Sequence, residues 1–542
     1  MFPLLSRHFA RRIIRYFSQN RAAKITTASL FLLLLLALSA GIFSFFLHGF
    51  RFLSLSGYFK ETILLYLSEL FMLTVLILTF MSALITGLFS LFSGKDKLLA
   101  LSPKFLLIPT LVLSRMFLTS LWPILLLVVP ALLALSLSYT VSFSGAFLTI
   151  FALTLFVAFA VVSALSCIFL AAKTLSFFRK VLLKKQTLIL LVFLISAFLI
   201  GIAWQHARSV SLHTLFSVET VEKTVADTTL IRSHFAALPS HPAALAFFAA
   251  SHDDTGLLFR SIAILAALLG IALIPFLLLR KDHLLFWQHL QETDSAHITR
   301  IHSSIGALAH ARGPLDALFR KEILAFFRNT RNMSWFGFFC LIWLLQSGSL
   351  FILNHQLSER PTVIPYIVIT FQVAAAIYFV NMFVLRFVFP SFSMEQKMYW
   401  VVESAPIDGS KTFLARAGFH IPLMTFLGLL FSLLNTITIT LSFSEHVLVL
   451  GIIGIASATV TLYGLALGAL FPNFETDDPE FLSTSLPGLT FIFTSVLYGS
   501  CAAVATRNFL VSGEPALLVL FLSSSILIGL LSLSIPLRHF RK

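Results

Sequence analysis

Long apolar runs recur along the chain, separated by short polar or proline-bearing stretches, and they are too long and too uniformly apolar to be one-sided faces of soluble helices. A helix needs about 20 mostly apolar residues to cross a bilayer core of about 30 Å. Runs that meet this requirement lie at about 27–49, 62–89, 116–137, 145–171, 187–204, 257–279, 335–353, 364–389, 419–442, 447–471, 487–505 and 515–536. They predict an all-α fold, a polytopic transmembrane helical bundle of about twelve spans. The first run is long and follows 26 residues of basic amphipathic sequence, which is not the form of a removable signal peptide, so the first helix is expected to stay.

Composition agrees with the pattern. Of 542 residues, 58% are hydrophobic and 11% charged, 59 are Phe, and the mean hydropathy is +0.95; soluble domains carry about a quarter charged residues. With both termini placed in the cytoplasm, only eight of the 38 Lys and Arg fall outside: Arg51, Lys60, Arg208, Lys223, Arg232, Arg260, Arg360 and Arg507. That asymmetry predicts a multi-pass protein of the inner, cytoplasmic membrane with both ends inside. It also accounts for the net charge of +15, because cationic loops face an anionic leaflet, so membrane lipids and no nucleic acid are the partners it implies. Cys167, Cys340 and Cys501 lie inside predicted spans as small apolar side chains, with no disulfide or zinc spacing.

The chain repeats itself. FARRIIRYFSQNR, Phe9 to Arg21, lies without a gap on FRKEILAFFRNTR, Phe319 to Arg331, and each copy precedes an apolar run. On a helix Phe319, Ile323, Phe326 and Phe327 share one face, with Arg320, Lys321, Arg328 and Arg331 largely away from it. That is the pattern of an interfacial amphipathic helix, and Arg11, Arg12 and Phe17 stand in the first copy. A second pair follows spans two and eight: FSGKDKLLALSPKFLLIPTLVLSR and FSMEQKMYWVVESAPIDGSKTFLAR, whose helices carry Arg115 and Arg416. The expected organisation is two pseudo-repeated six-helix halves. The first, 1–279, has an outer segment at 205–256; a cytoplasmic linker covers 280–314; the second half, 315–542, opens with an amphipathic helix over 315–334. Within the outer segment, Ala243 to Ala250 is short and apolar, which reads as a re-entrant or surface-lying helix rather than a span.

Between spans eight and nine, Ser391 to Asp408 sets Met394, Met398, Val401 and Val402 on one helical side, with Glu395, Lys397 and Glu403 mostly off it. Such a segment can lie flat and present charge, as a coupling element to an ATPase would. Here the sequence resembles the membrane-spanning permease subunits of bacterial ABC exporters with two fused six-span halves. In that family a Pro-x-x-Ser-x-Glu stretch, a Trp and a Ser-Ala-Pro turn follow the eighth span. They correspond to Pro390, Ser393, Glu395, Trp400, Ser404, Ala405 and Pro406, with Gln396 where a glycine is usual. LDALFRKEILAFFRN, KDKLLALSP and ALGALFPNFETDDPEFLSTSLPG extend the likeness over nearly the whole chain.

The resemblance implies a transport subunit that is not itself an enzyme. ATP hydrolysis would come from a separate ABC-type ATPase subunit in two copies holding ATP and magnesium, no cofactor would sit on this chain, and coupling would run through Lys95, Asp96, Lys97, Ser102, Pro103, Ser393, Glu395, Lys397, Trp400, Glu403 and Pro406. The residues agree in one respect: the phosphate-binding pattern G-x-x-x-x-G-K-[ST] is missing, since Gly94-Lys95 is followed by Asp96. Alternating access moving a lipid, amphipathic peptide or apolar drug is the expected mechanism.

Two other classes compete. An ion-coupled secondary transporter needs ionisable groups within the membrane. Glu69 alone lies well inside a span, as a candidate pathway residue or as one held by neighbouring polar groups. A lipid-modifying membrane enzyme needs paired acids or Ser and His together, and His420 is a lone candidate. His283, His289, His297, His302 and His310 lack the i, i+4 spacing of metal ligands. Glu475, Asp477, Asp478 and Glu480 lack the form of a calcium loop, and no metal site is expected. Gly464 and Gly468 allow a close helix approach.

Overall fold

The computed structural model describes residues 21–55, 60–92, 122–139, 141–177, 201, 235–278, 313–328, 330–357, 363–398, 408–436, 441–474, 482–483 and 485–540. Its principal elements are α1 Arg21–Leu55, α2 Lys60–Phe92, α3 Trp122–Tyr139, α4 Phe143–Phe177, α5 His241–Ser251, α6 Thr255–Leu278, α7 Pro314–Arg328, α8 Thr330–Leu357, α9 Val363–Phe383, α10 Gly409–Thr436, α11 Phe443–Leu470, α12 Leu486–Ser512 and α13 Ala516–Phe540. No strand occurs among the described residues. The reason is chemical: a chain this apolar must satisfy its backbone N–H and C=O groups within each segment, which a helix does. Hydroxyls buried in the bundle follow the same rule. Thr149, Thr436, Thr461 and Thr506 each donate to the carbonyl four residues back.

Eight helices are long and apolar enough to cross a membrane among the described residues, running through α1, α4, α6 and α9 to α13. Shorter apolar stretches lie in α2, α3 and α8. The count of about twelve spans is therefore met here by eight, and the run 187–204 lies outside the described residues except for Gly201. One boundary moves by ten residues: the ninth span, expected from 419, begins at Gly409. Arg416, on a helix in the sequence reading, lies within this helix, buried and paired with Glu322 of α7.

The two parts of the chain pack in parallel fashion. Helix α4 lies against α6 and α2, as α11 lies against α13 and α9; α1 packs on α3, as α8 packs on α10. A local detail repeats at a spacing of 300 residues. Ser142 and Ser442 precede α4 and α11 in Ser-Phe-Ser sequences, and their Oγ atoms accept from the N–H of Gly145 (3.1 Å) and Glu445 (3.4 Å), the N-cap geometry. The Ser142–Ser144 and Ser442–Ser444 hydroxyls lie 3.2 and 3.1 Å apart.

One apolar core crosses both parts. It joins Met81 and Leu84 of α2, Leu165 of α4 and Phe276 of α6 to Phe326, Phe383, Phe387 and Phe431 of the later helices. All of these early contributors lie in the C-terminal portions of their helices, so α5 and the loop before α4 sit toward the opposite end.

Candidate functional site

The end of α9 departs from α-helix just before the segment singled out in the sequence. Val384–Val388 forms a π-turn, followed by 3-10 turns at Phe389–Ser391 and Ser393–Met398. Pro390 has no N–H for the carbonyl four residues back, and its ring would strike that carbonyl, so the ladder widens ahead of it. The departure is held from outside by α11. A Cβ on Gly468 would lie 2.1 Å from the Phe389 carbonyl oxygen, so only glycine permits this approach; Gly464 faces Val384 and Phe491 in the same way. Ser393 Oγ accepts from the Asn473 N–H at 2.9 Å, tying the 3-10 segment to the chain beyond α11.

Against this segment lies α7. Its first turn is steadied by an Asp316–Arg320 pair at 3.0 Å, four residues apart. Leu318 and Phe326 are buried on its packed face, and Glu322 lies between them, the three forming one stripe at i, i+4 and i+8. Facing Glu322 is Arg416 of α10, entirely shielded from solvent. Arg416 Nε donates to Glu322 Oε1 at 3.1 Å, and its Nη2 donates to Glu395 Oε1. Lys321 Nζ donates to the same Glu395 oxygen and stands 3.8 Å from Glu322. The guanidinium lies over the Phe392 ring, 3.9 Å from its centre, and Phe392 in turn stacks on Phe413 and Phe540. Nearby, Arg386 of the π-turn lies over the Trp335 ring of α8 at 4.4 Å.

Two cations and two carboxylates thus meet with no net charge. Each ion costs several kcal/mol to bury, and only close pairing with further hydrogen bonds offsets that cost. The offset depends on α7, α10 and the segment after α9 keeping their relative positions. A shift of one element by an ångström or two strands a buried charge. The arrangement therefore ties α7, α10 and the segment after α9 to one another.

Of the residues expected to present charge outward, Glu395 instead turns inward to Lys321 and Arg416, and Ser393 is buried. Its 3-10 geometry, rather than an α-helix, breaks the helical face read from the sequence. Lys397 belongs to the same turn, with its side chain outside the described residues, as is that of Arg331 on α8. Lys95, Asp96, Lys97, Ser102, Pro103, Trp400, Glu403, Pro406, Arg11, Arg12 and Phe17 lie outside the described residues altogether. Phe319 and Phe326 pack inward, but Phe327, placed with them by periodicity, is 57% exposed. Glu322 was missed, although a carboxylate in the middle of an apolar stripe is a legible signal.

Glu69 is fully buried on α2, and His241 Nδ1 of α5 lies 2.5 Å from its Oε1. His420 is buried one turn beyond Arg416, its ring against Phe326 and Phe419. No group of three metal-ligating side chains occurs among the described residues. The linker histidines and the acidic run 475–480 lie outside them.

A family profile described as "Putative ATP-binding cassette" matches residues 20–542. No curated protein and no solved structure matches the chain. The family match corrects the earlier reading at four points. The chain is not to be taken as a permease subunit without a nucleotide-binding role, nor its function as one driven wholly by separate ATPase subunits, nor as excluded from enzyme activity, nor as a chain whose ATP and magnesium reside only on a partner. The reason is that an ATP-binding description covers nearly all of this chain. The competing secondary transporter and lipid-modifying enzyme find no support in it. The described residues do not build a nucleotide site. They form no strand-loop-helix phosphate cradle, and Lys321 and Arg416 are already engaged by Glu322 and Glu395. They do not fit ATP.

Proposed function

The chain belongs to this ATP-binding cassette family, and from that premise we propose that it is an integral-membrane ABC transporter protein moving an apolar or amphipathic substrate across the bilayer, with the Lys321, Glu322, Glu395 and Arg416 cluster as the joint about which its helices rearrange. The observation that carries this reading is the complete burial of Arg416 between carboxylates from two other elements. A rearrangement that keeps this network paired moves α7, α10 and the end of α9 as one body. One that parts it must exchange partners, which makes the bundle switch between discrete arrangements.

On this reading the bundle holds twelve spans in two six-helix halves, and the parallel packing and the paired Ser-Phe-Ser caps support that repeat. The charge asymmetry of the sequence supports a cell-membrane protein with both termini and the cluster on the cytoplasmic side, α5 toward the outer side, and lipids against the exposed apolar flanks of α6 and α13. The test is ATP-stimulated accumulation of a fluorescent amphiphile in inside-out membrane vesicles containing the full chain. Glu395→Gln and Lys321→Met are expected to lower the stimulated rate about tenfold, a loss of about 1.4 kcal/mol, with the protein present at its normal level. A wild-type rate indifferent to ATP would remove the transporter reading, and unaltered rates in both variants would remove the joint.

A further inference from the structure

Helix α5 is buried from Pro242 to Ser251, packed between α2, α4 and α6. Ala243, Ala244, Ala246, Ala249 and Ala250 present small surfaces, while Leu245, Phe247 and Phe248 join the surrounding core, the Phe247 ring centre lying 6.4 and 6.3 Å from those of Phe50 and Phe71. Polar ties hold its two ends. At the start, His241 Nδ1 meets Glu69 at 2.5 Å; just past the end, Asp253 Oδ1 accepts from Ser142 Oγ at 2.5 Å. Asp253 has φ 54°, the one non-glycine residue at positive φ among the described residues. Such a backbone state costs energy and persists only where its surroundings hold it.

The second half lacks this device among its described residues. Ser442, the counterpart of Ser142, is closed by Glu445 of its own helix in a capping box. Helix α12 ends on left-handed Gly513 and passes through two more residues into α13, so nothing corresponds to α5. Instead α12 lies directly on α9, with Gly499 against Tyr378 and the Tyr378 hydroxyl 2.7 Å from that of Ser500. Among the described residues, the first part of the chain thus carries an inserted helix against α2, α4 and α6, and the later part has α12 directly on α9. The insertion is also incompletely bonded, since Glu69 Oε2 and Ser240 Oγ are buried without a hydrogen-bond partner among the described residues.

We propose that α5 is a hinged plug: it swings about Asp253 when the Glu69–His241 pair parts, opening the first half at the end opposite the charge cluster. The plug stands on the α5 geometry alone; its use as a doorway for substrate rests on the transport reading. The pair is the latch because it is the buried polar bond between α5 and a neighbouring helix at the end farthest from the hinge. A buried hydrogen bond holds its two partners together, so losing it is expected to raise the open fraction roughly tenfold.

The experiment adds Ala246→Cys to the full chain, purified in mild detergent, and follows its modification by a polyethylene glycol maleimide. The band shift is counted above that of the chain without the added cysteine. Neither ATP nor substrate is supplied, so the result stands apart from any failure of transport. Slow labelling is expected with the latch intact, roughly tenfold or faster labelling with Glu69→Gln or His241→Phe, and a return to slow labelling in the swap Glu69→His with His241→Glu. Should the Glu69 and His241 variants fail to accumulate, Asp253→Gly takes their place: glycine accepts the positive φ, the tie to Ser142 is lost, and labelling is expected to accelerate. Equal labelling rates in all backgrounds that accumulate, or a swap labelled as fast as the single variants, would overturn the plug.

Discussion

Arg416 shows how much a single side chain can decide. It is fully buried, bonded to Glu322 and Glu395 and stacked on Phe392, and a methionine there would fill space while leaving two carboxylates facing Lys321 alone. Breaking a buried pair by removing one partner costs about 3–5 kcal/mol. Arg416→Met is therefore expected to lower the melting temperature of the detergent-solubilised protein by several degrees. Adding Glu322→Gln and Glu395→Gln should recover most of that loss, because the stranded charges go with it; a triple variant no more stable than the single one would show that Arg416 acts through packing. The sequence carries half of this site. Glu395 and Lys321 stand out as charged residues in marked segments, and Glu322 interrupts an apolar stripe. Nothing local announces that these groups converge on Arg416, because their partners lie 21 to 94 residues apart along the chain.

At the scale of elements, the junction after α9 is set by one proline and two glycines. Gly468→Ala is expected to destabilise the protein by about 1–3 kcal/mol, the usual cost of overpacking, since the new methyl would meet the backbone carbonyl of Phe389, which cannot turn aside. Gly451→Ala on the same helix meets nothing within 4 Å. It should stabilise the protein by up to about 1 kcal/mol through helix propensity. Thermal melts of the two variants check the contrast, and a Gly468→Ala protein as stable as wild type would mean that the π-turn is not held by α11. The small-residue spacing of Gly464 and Gly468 is visible in the sequence, whereas the element it receives is not. A helix end bent by π and 3-10 turns does not follow helical periodicity, and this is why the charged face assigned to Glu395 by its position proved to point inward.

Across the whole molecule, the shared core of Leu84, Leu165, Phe276, Phe326, Phe383 and Phe431 binds early and late helices into one body. Cutting the chain between 280 and 312 is thus expected to leave two fragments that migrate together on a native gel in mild detergent; separate migration would place the adhesion in chain connectivity rather than in the core. On the sequence alignments, Arg12 stands opposite Glu322 and Lys95 opposite Glu395, so the likeness between the two parts of the chain does not extend to charge at these positions. By itself the sequence determined that the chain is helical, with runs long and apolar enough to cross a membrane, because runs of some 20 apolar residues have no other means of satisfying their backbone in lipid. It also marked the segments of interest by their interruptions of those runs. Tertiary structure alone decided which charges neutralise one another and where α5 lies. Those outcomes depend on contacts between distant segments and on burial, and a buried ion selects its partner by position in space rather than by separation along the chain.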